Sequence, residues 1–84
     1  MTNDPSQTVT VYTTPFCAPC EQLKRFLSQH GVVYVVRDLM MDEDAEARLS
    51  AAGVHSSPAL EVEGNIYAGP ELELSRLKSL LGIG

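Results

Sequence analysis

The two cysteines of the chain lie together in Thr13-Thr14-Pro15-Phe16-Cys17-Ala18-Pro19-Cys20, flanked by prolines. Three chemistries fit that spacing: a disulfide that staples the fold, half of a metal site, or a working redox pair. As a staple the pair does little, because closing a loop of about four residues gains only about 2 kcal/mol in the chain-entropy model. A structural zinc takes four ligands, and Cys17 with Cys20 supplies half of them. His30 lies about 15 Å along the same predicted helix at 1.5 Å per residue, too far to close the set, and reads as a cation at a helix end. His55 alone leaves the set incomplete.

A redox pair explains more. A free thiol near pKa 8.5 is only a few per cent ionised at neutral pH, and the thiolate is the nucleophile. The sequence predicts that Cys17 sits where a strand gives way to a helix, with the unpaired N–H groups of the first turn facing its sulfur. Those donors and the helix dipole lower a cysteine pKa into the range of about 3.5 to 7.5. At pKa 7 about half the thiol would be ionised, at least a tenfold gain in attacking species. Cys20, one turn inside the helix, is less exposed and less activated. Cys17 is therefore expected to attack a substrate disulfide, and Cys20 to resolve the mixed disulfide into an internal Cys17–Cys20 bond.

These roles need a strand, a turn and a helix in that order, and the pattern provides them. Val9-Thr10-Val11-Tyr12 alternates and is β-branched, as a strand requires. Pro15 breaks the chain. From Ala18 to His30 the apolar residues Cys20, Leu23, Phe26 and Leu27 recur at helical spacing, with Pro19 tolerated in the first turn and Gly31 as the stop. Val32 to Val36 is apolar on both faces and reads as a strand covered on both sides. Asp42 to Ala52 opens with acids and places Ala45, Leu49 and Ala52 on one face of a second helix. Pro58–Val62 and Ile66–Ala68 flank Glu63-Gly64-Asn65, a hairpin signal. Glu71 to Leu81 aligns Leu74, Leu77 and Leu81 on a last helix that ends at Gly82. The order β-α-β-α-β-β-α predicts an α/β fold, a mixed four-stranded sheet with helices on both faces.

Eighty-four residues, 44% hydrophobic and 20% charged, fit a single domain over 1–84 with a short polar segment at 1–7. The net charge is −5, and Asp38, Asp42, Glu43, Asp44 and Glu46 gather on what reads as a solvated helix face. Without a basic footprint the chain is not expected to bind nucleic acid. The polar start lacks the regions of a signal peptide and no apolar run is long enough to span a bilayer, so no membrane partner and a cytoplasmic location are expected. In a reducing cytosol a close cysteine pair is expected to be catalytic.

From Thr8 to Leu81 the chain resembles the glutaredoxin-like branch of the thioredoxin-fold oxidoreductases. The likeness rests on Val9-x-Val11-Tyr12-Thr13-x-Pro15-x-Cys17-x-x-Cys20, on Ser56-Ser57-Pro58 opening the third strand, and on Ala68-Gly69 closing the fourth. It implies a thioredoxin-like fold with Pro58 in the cis form beside the sulfurs. The exposed backbone of Ser57 would then pair with a substrate's extended chain as an added strand, with Phe16 and Gly69 lining the groove. His55 would lie just outside the site. Many glutathione-dependent members carry a lysine where this chain has Thr14, and Ala68-Gly69-Pro70-Glu71 loosens the family's Gly-Gly-acid pattern, although Glu71 could still meet an amino group. The Val-Tyr-Thr-x-Pro opening looks more like NrdH-type redoxins, which take electrons from thioredoxin reductase and pass them to ribonucleotide reductase.

The resemblance thus implies a dithiol thiol–disulfide oxidoreductase, a monomeric electron carrier that reduces protein disulfides with thioredoxin reductase or glutathione as its reductant. No bound cofactor is needed, since the Cys17–Cys20 disulfide carries the electrons. The rival readings are a glutathione-dependent reductase of mixed disulfides, which needs Cys17 alone, and a module that holds an iron–sulfur cluster through Cys17 and glutathione. Pro19 before the second cysteine is similar to thioredoxin, and implies a potential nearer about −270 mV than the roughly −200 to −230 mV of glutaredoxins. The first strand offers no acid to accept a proton from Cys20.

Overall fold

The computed structural model describes residues 9–82; the segment 1–7, Thr8 and residues 83–84 lie outside the described set. The elements are β1 (Val9–Thr13), α1 (Ala18–Gln29), β2 (Val35–Asp38), α2 (Glu43–Ala51), β3 (Ala59–Val62), β4 (Asn65–Ala68), a 3-10 turn (Gly69–Leu72) and α3 (Leu74–Leu81). They build one four-stranded sheet in the order β2-β1-β3-β4, with β1 parallel to β2 and the other pairs antiparallel. This is the thioredoxin-like α/β architecture, and its alternation is read directly from the strands. On β1, Val9 and Val11 face one side and Tyr12 the other, because successive side chains of a strand point to opposite faces. Val11 lies opposite Leu60 in the ladder and Tyr12 opposite Ala59.

Two apolar layers result. Val9, Val11, Leu60 and Val62 pack with Leu23, Phe26 and Leu27 of α1 and with Leu77 and Leu81 of α3. On the other face Tyr12 and Ala59 pack with Ala45 and Leu49 of α2. Helices therefore cover both sides of the central strands. Among the described residues no helix is long and apolar enough to cross a membrane.

The apolar run Val32–Val36 departs from expectation. The strand begins only at Val35, and it is an edge strand rather than one covered on both sides. Val35 is 55% and Val36 45% exposed. Val32 is instead taken by the end of α1. Its N–H donates to Leu27 O at 2.9 Å while the Gly31 N–H donates to Ser28 O at 3.1 Å. This paired closure satisfies the last carbonyls of a helix and needs a left-handed residue between, which Gly31 provides at φ +71°. Val32 then drops into the core beside Leu27.

Helix α2 ends by the same closure, with Val54 N–H donating to Leu49 O. That ends the helix at Ala51 and leaves Ala52 exposed, so only Ala45 and Leu49 of the expected apolar face are buried. The hairpin turns on Glu63 and Gly64, both at positive φ, and Asn65 joins β4 rather than the turn. The last helix is shorter than expected. Glu71 belongs to the 3-10 turn, where its carboxylate accepts the Ala68 N–H at 3.2 Å, and Glu73 is extended, so α3 starts at Leu74. Leu77 and Leu81 are buried as its stripe requires; the side chain of Leu74 lies outside the described set.

Polar contacts fix α2 against the sheet. The Tyr12 hydroxyl donates to Glu61, and the Arg48 guanidinium donates through Nε and Nη2 to both Glu61 oxygens at 2.8 and 2.9 Å. Arg37 grips Asp42 in the same two-pronged way, and Asp42 caps α2 by accepting the Ala45 N–H at 3.0 Å. Arg48 holds the Glu61 carboxyl below the usual carboxylate range, with Tyr12 adding to the effect against burial. Arg37 does the same for Asp42, helped by the Ala45 N–H. Burial, and then Glu61, push the Tyr12 phenol up.

A carboxyl depressed in the folded state contributes stability that is complete above its unfolded pKa and fades as pH falls through the folded one. A raised phenol contributes below its unfolded pKa and fades as pH rises through the folded one. Urea unfolding is therefore expected to show stability falling below about pH 4 and again above about pH 10. Glu61→Gln is expected to flatten both limbs. An acid limb of wild-type steepness in that variant would show that other carboxyls set it.

Candidate redox site

Strand β1 delivers the chain to the site, and the turn after it decides what is presented. Phe16 adopts φ +58°, a left-handed conformation that costs a non-glycine residue roughly 1–2 kcal/mol, and its ring stands fully exposed. Cys17 follows in an extended conformation as the N-cap of α1, with Pro19 in the first turn, where its missing N–H leaves no partner wanting. The Cys20 N–H donates to Cys17 Sγ at 3.1 Å. An N-cap side chain normally accepts such a bond through oxygen; here the acceptor is the sulfur that the sequence marks as the nucleophile.

The two sulfurs are joined in a disulfide, with Cα atoms 5.2 Å apart. The bond is asymmetric in access: Cys17 is partly exposed, while Cys20, in the first turn of α1, is fully buried. Ser57 and Pro58 meet it from the other side of the sequence, through a cis peptide bond just before β3. The Ser57 hydroxyl donates to Cys17 Sγ at 3.9 Å, and Thr14 Oγ1 lies 2.9 Å from Ser57 Oγ. The groups that touch the accessible sulfur are thus a backbone N–H and a hydroxyl.

A groove of about 780 Å³ opens beside the disulfide. One wall is α1, from Pro19 through Gln22, Leu23, Arg25 and Phe26 to Gln29. Ser56, Ser57 and Pro58 form its end near the sulfurs, and Gly69, Leu72, Glu73 and Leu77 form the opposite wall. Of the residues expected around the sulfurs, Ser57, Pro58 and Gly69 line this groove. Phe16 stands outside it in solvent, and Thr14 lies behind Ser57. The Glu71 carboxylate is turned onto the Ala68 N–H. His55 is exposed in the loop leading to Ser57, and His30 closes α1 with its ring centroid 4.5 Å from that of Phe26. Among the described residues no cluster of three or more His, Cys, Asp or Glu side chains is placed to hold a metal ion.

Sequence reading missed the long α1 wall, because Gln22, Arg25 and Gln29 lie on a helix face that reads as ordinary solvated surface. The only cue was that polar residues follow Cys20 on the side away from Leu27.

A model of the glutaredoxin family matches residues 9–67, which spans the cysteine pair, the cis proline and the hairpin. The chain belongs to the glutaredoxin family. A glutaredoxin of Neisseria meningitidis is 34% identical over 80 residues, 92% of each chain. A shorter match, 42% identical over 38 residues, links it to the Gene 56 protein of Mycobacterium phage D29 and spans only 42% of that protein. Among solved structures, the thioredoxin-like protein BC3987 superposes with a TM-score of 0.78 at 33% identity, covering 88% of this chain and all of that one. The glutaredoxin-like NrdH-redoxin of Escherichia coli shares the fold with a TM-score of 0.71 at 21% identity, over 80% of this chain and 88% of its own. This glutaredoxin-family chain is thus a redox protein whose Cys-x-x-Cys pair forms the disulfide described above.

Proposed function

We propose that this protein is a dithiol thiol–disulfide oxidoreductase, a monomeric single-domain carrier in the cytoplasm that reduces protein disulfides. Its reductant is thioredoxin reductase and ribonucleotide reductase is one recipient. The observation that carries the reading is the lopsided disulfide at the head of α1, with Cys17 partly exposed and Cys20 fully buried.

In the reduced protein the Cys17 thiolate attacks one sulfur of a substrate disulfide. That S–S bond breaks, a Cys17–substrate bond forms, and the displaced substrate thiolate takes a proton. Cys20 then gives up its proton and attacks Cys17 Sγ, the mixed disulfide breaks, and the second substrate thiol leaves. Two electrons have passed from the cysteine pair to the substrate. The substrate chain lies along the groove against Ser57, Pro58 and Gly69, pairing with the backbone of Ser57 as an added strand. The reductant reverses the sequence by attacking Cys17, the sulfur within reach.

The choice of reductant rests on Thr14 in place of a lysine and on the Val-Tyr-Thr-x-Pro opening. Offering the purified oxidised protein to thioredoxin reductase with NADPH, or to reduced glutathione, tests it. Reduction is expected to be faster with the reductase. Faster reduction by glutathione would make the protein a glutathione-dependent glutaredoxin.

A further inference from the structure

Beyond the N–H of Cys20, the accessible sulfur has a second donor, and that donor has a partner of its own. Thr14, Ser57 and Cys17 form a line: Thr14 Oγ1 to Ser57 Oγ at 2.9 Å, then Ser57 Oγ to Cys17 Sγ at 3.9 Å. We propose that Thr14 is a positioning residue for the redox reaction, acting through the Ser57 hydroxyl to stabilise Cys17 as the thiolate. The inference rests on the thiolate chemistry proposed above and adds two residues to it.

The argument is one of proton counting. Each hydroxyl has a single proton and two lone pairs. If Ser57 gives its proton to sulfur, its oxygen is left as acceptor, and the neighbour within reach that can fill it is Thr14. If Ser57 instead gives its proton to Thr14, the sulfur loses its second donor and keeps only the Cys20 N–H. A neutral sulfur is a weak acceptor and barely discriminates between the two arrangements. A thiolate does discriminate: its charge turns both hydroxyls the same way, Thr14 to Ser57 and Ser57 to sulfur, and each bond polarises the next. The pair therefore favours the ionised state selectively, which is what lowers a pKa.

Both hydroxyls sit on rigid supports. Thr14 follows the last residue of β1, and Ser57 is held by the peptide bond to Pro58 at the start of β3, strands paired at Tyr12 and Ala59. The Ser57 hydroxyl is half-buried between them, so the line is set by the sheet.

Alkylation of reduced Cys17 by iodoacetamide, followed by mass spectrometry across pH, reads the effect. Ser57→Ala is expected to move the midpoint up by about 0.5 to 1 unit, a roughly three- to tenfold loss of thiolate at fixed pH below it. Thr14→Val, which keeps the shape and removes the hydroxyl, is expected to move it about half as far. In the Ser57→Ala background Thr14→Val is expected to add nothing, whereas with Ser57 in place Thr14→Ser, which keeps the hydroxyl, is expected to keep the wild-type midpoint. A Thr14→Val midpoint equal to the wild type, or an equal shift in both backgrounds, would overturn the relay while leaving the redox reading intact. A wild-type midpoint near the ordinary thiol value of about 8.5 would remove the thiolate reading itself, and the relay with it.

Discussion

Cys17→Ser is expected to reduce protein disulfides no faster than the buffer does, whereas Cys20→Ser is expected to stall with substrate attached. The contrast follows from where the two sulfurs sit. Cys17 is partly exposed beside Ser57, receives the Cys20 N–H at 3.1 Å, and offers the sulfur an incoming disulfide can reach. A serine hydroxyl there stays protonated at any working pH and does not attack sulfur, so the first bond is never made. Cys20 has no exposure and faces its partner from the second half of the first helical turn. Removing it leaves the first step untouched and deletes the second, so one substrate molecule per protein accumulates as a mixed disulfide.

Non-reducing electrophoresis with insulin as substrate, and the mass of the adduct, separate the two variants. Thiol added afterwards is expected to release the substrate from Cys20→Ser in a stoichiometric burst. Full turnover of protein disulfides by Cys20→Ser would show that a single sulfur suffices, and with it that burial of the second has no part in the reaction.

How much of this was legible beforehand depended on whether the signal was local. Helix α1 was, because Cys20, Leu23, Phe26 and Leu27 recur at the spacing of one helical face, and all are buried. The hairpin was legible in Glu63-Gly64-Asn65, whereas Asp42, read as the first residue of α2, is its N-cap. The run Val32–Val36 was misplaced for a physical reason. β-Branched residues favour strands whether the strand is central or marginal, and position in a sheet depends on strand order, a property of the whole chain. Val32 was also wanted by a competitor, the closure of α1, which a periodicity count does not include. The cysteine pair was legible from spacing and neighbours. The Thr14–Ser57 contact was not, since it joins hydroxyls 43 residues apart that carry no periodic mark.

The same distinction between central and marginal strands sets the largest expected loss of stability. Leu60 lies in β3, between β1 and β4, opposite Val11 on one side and Tyr67 on the other, and has no exposure. It points into the layer shared with α1 and α3. Truncating such a leucine to alanine removes its transfer energy and leaves a cavity, about 2–5 kcal/mol in comparable cores. For a domain of this size each kcal/mol lowers Tm by about 4–8 °C, so Leu60→Ala is expected to melt at least about 8 °C below the wild type. Since Ser57 hangs from the start of β3, the variant is also expected to lose activity before it unfolds globally. Val36→Ala provides the control. That residue is equally apolar in sequence, but it is 45% exposed on the edge strand β2, and its truncation is expected to cost less than about 1 kcal/mol. Equal losses from the two truncations in calorimetry would mean that Val36 is enclosed as Leu60 is, and that its face of β2 is covered rather than open to solvent.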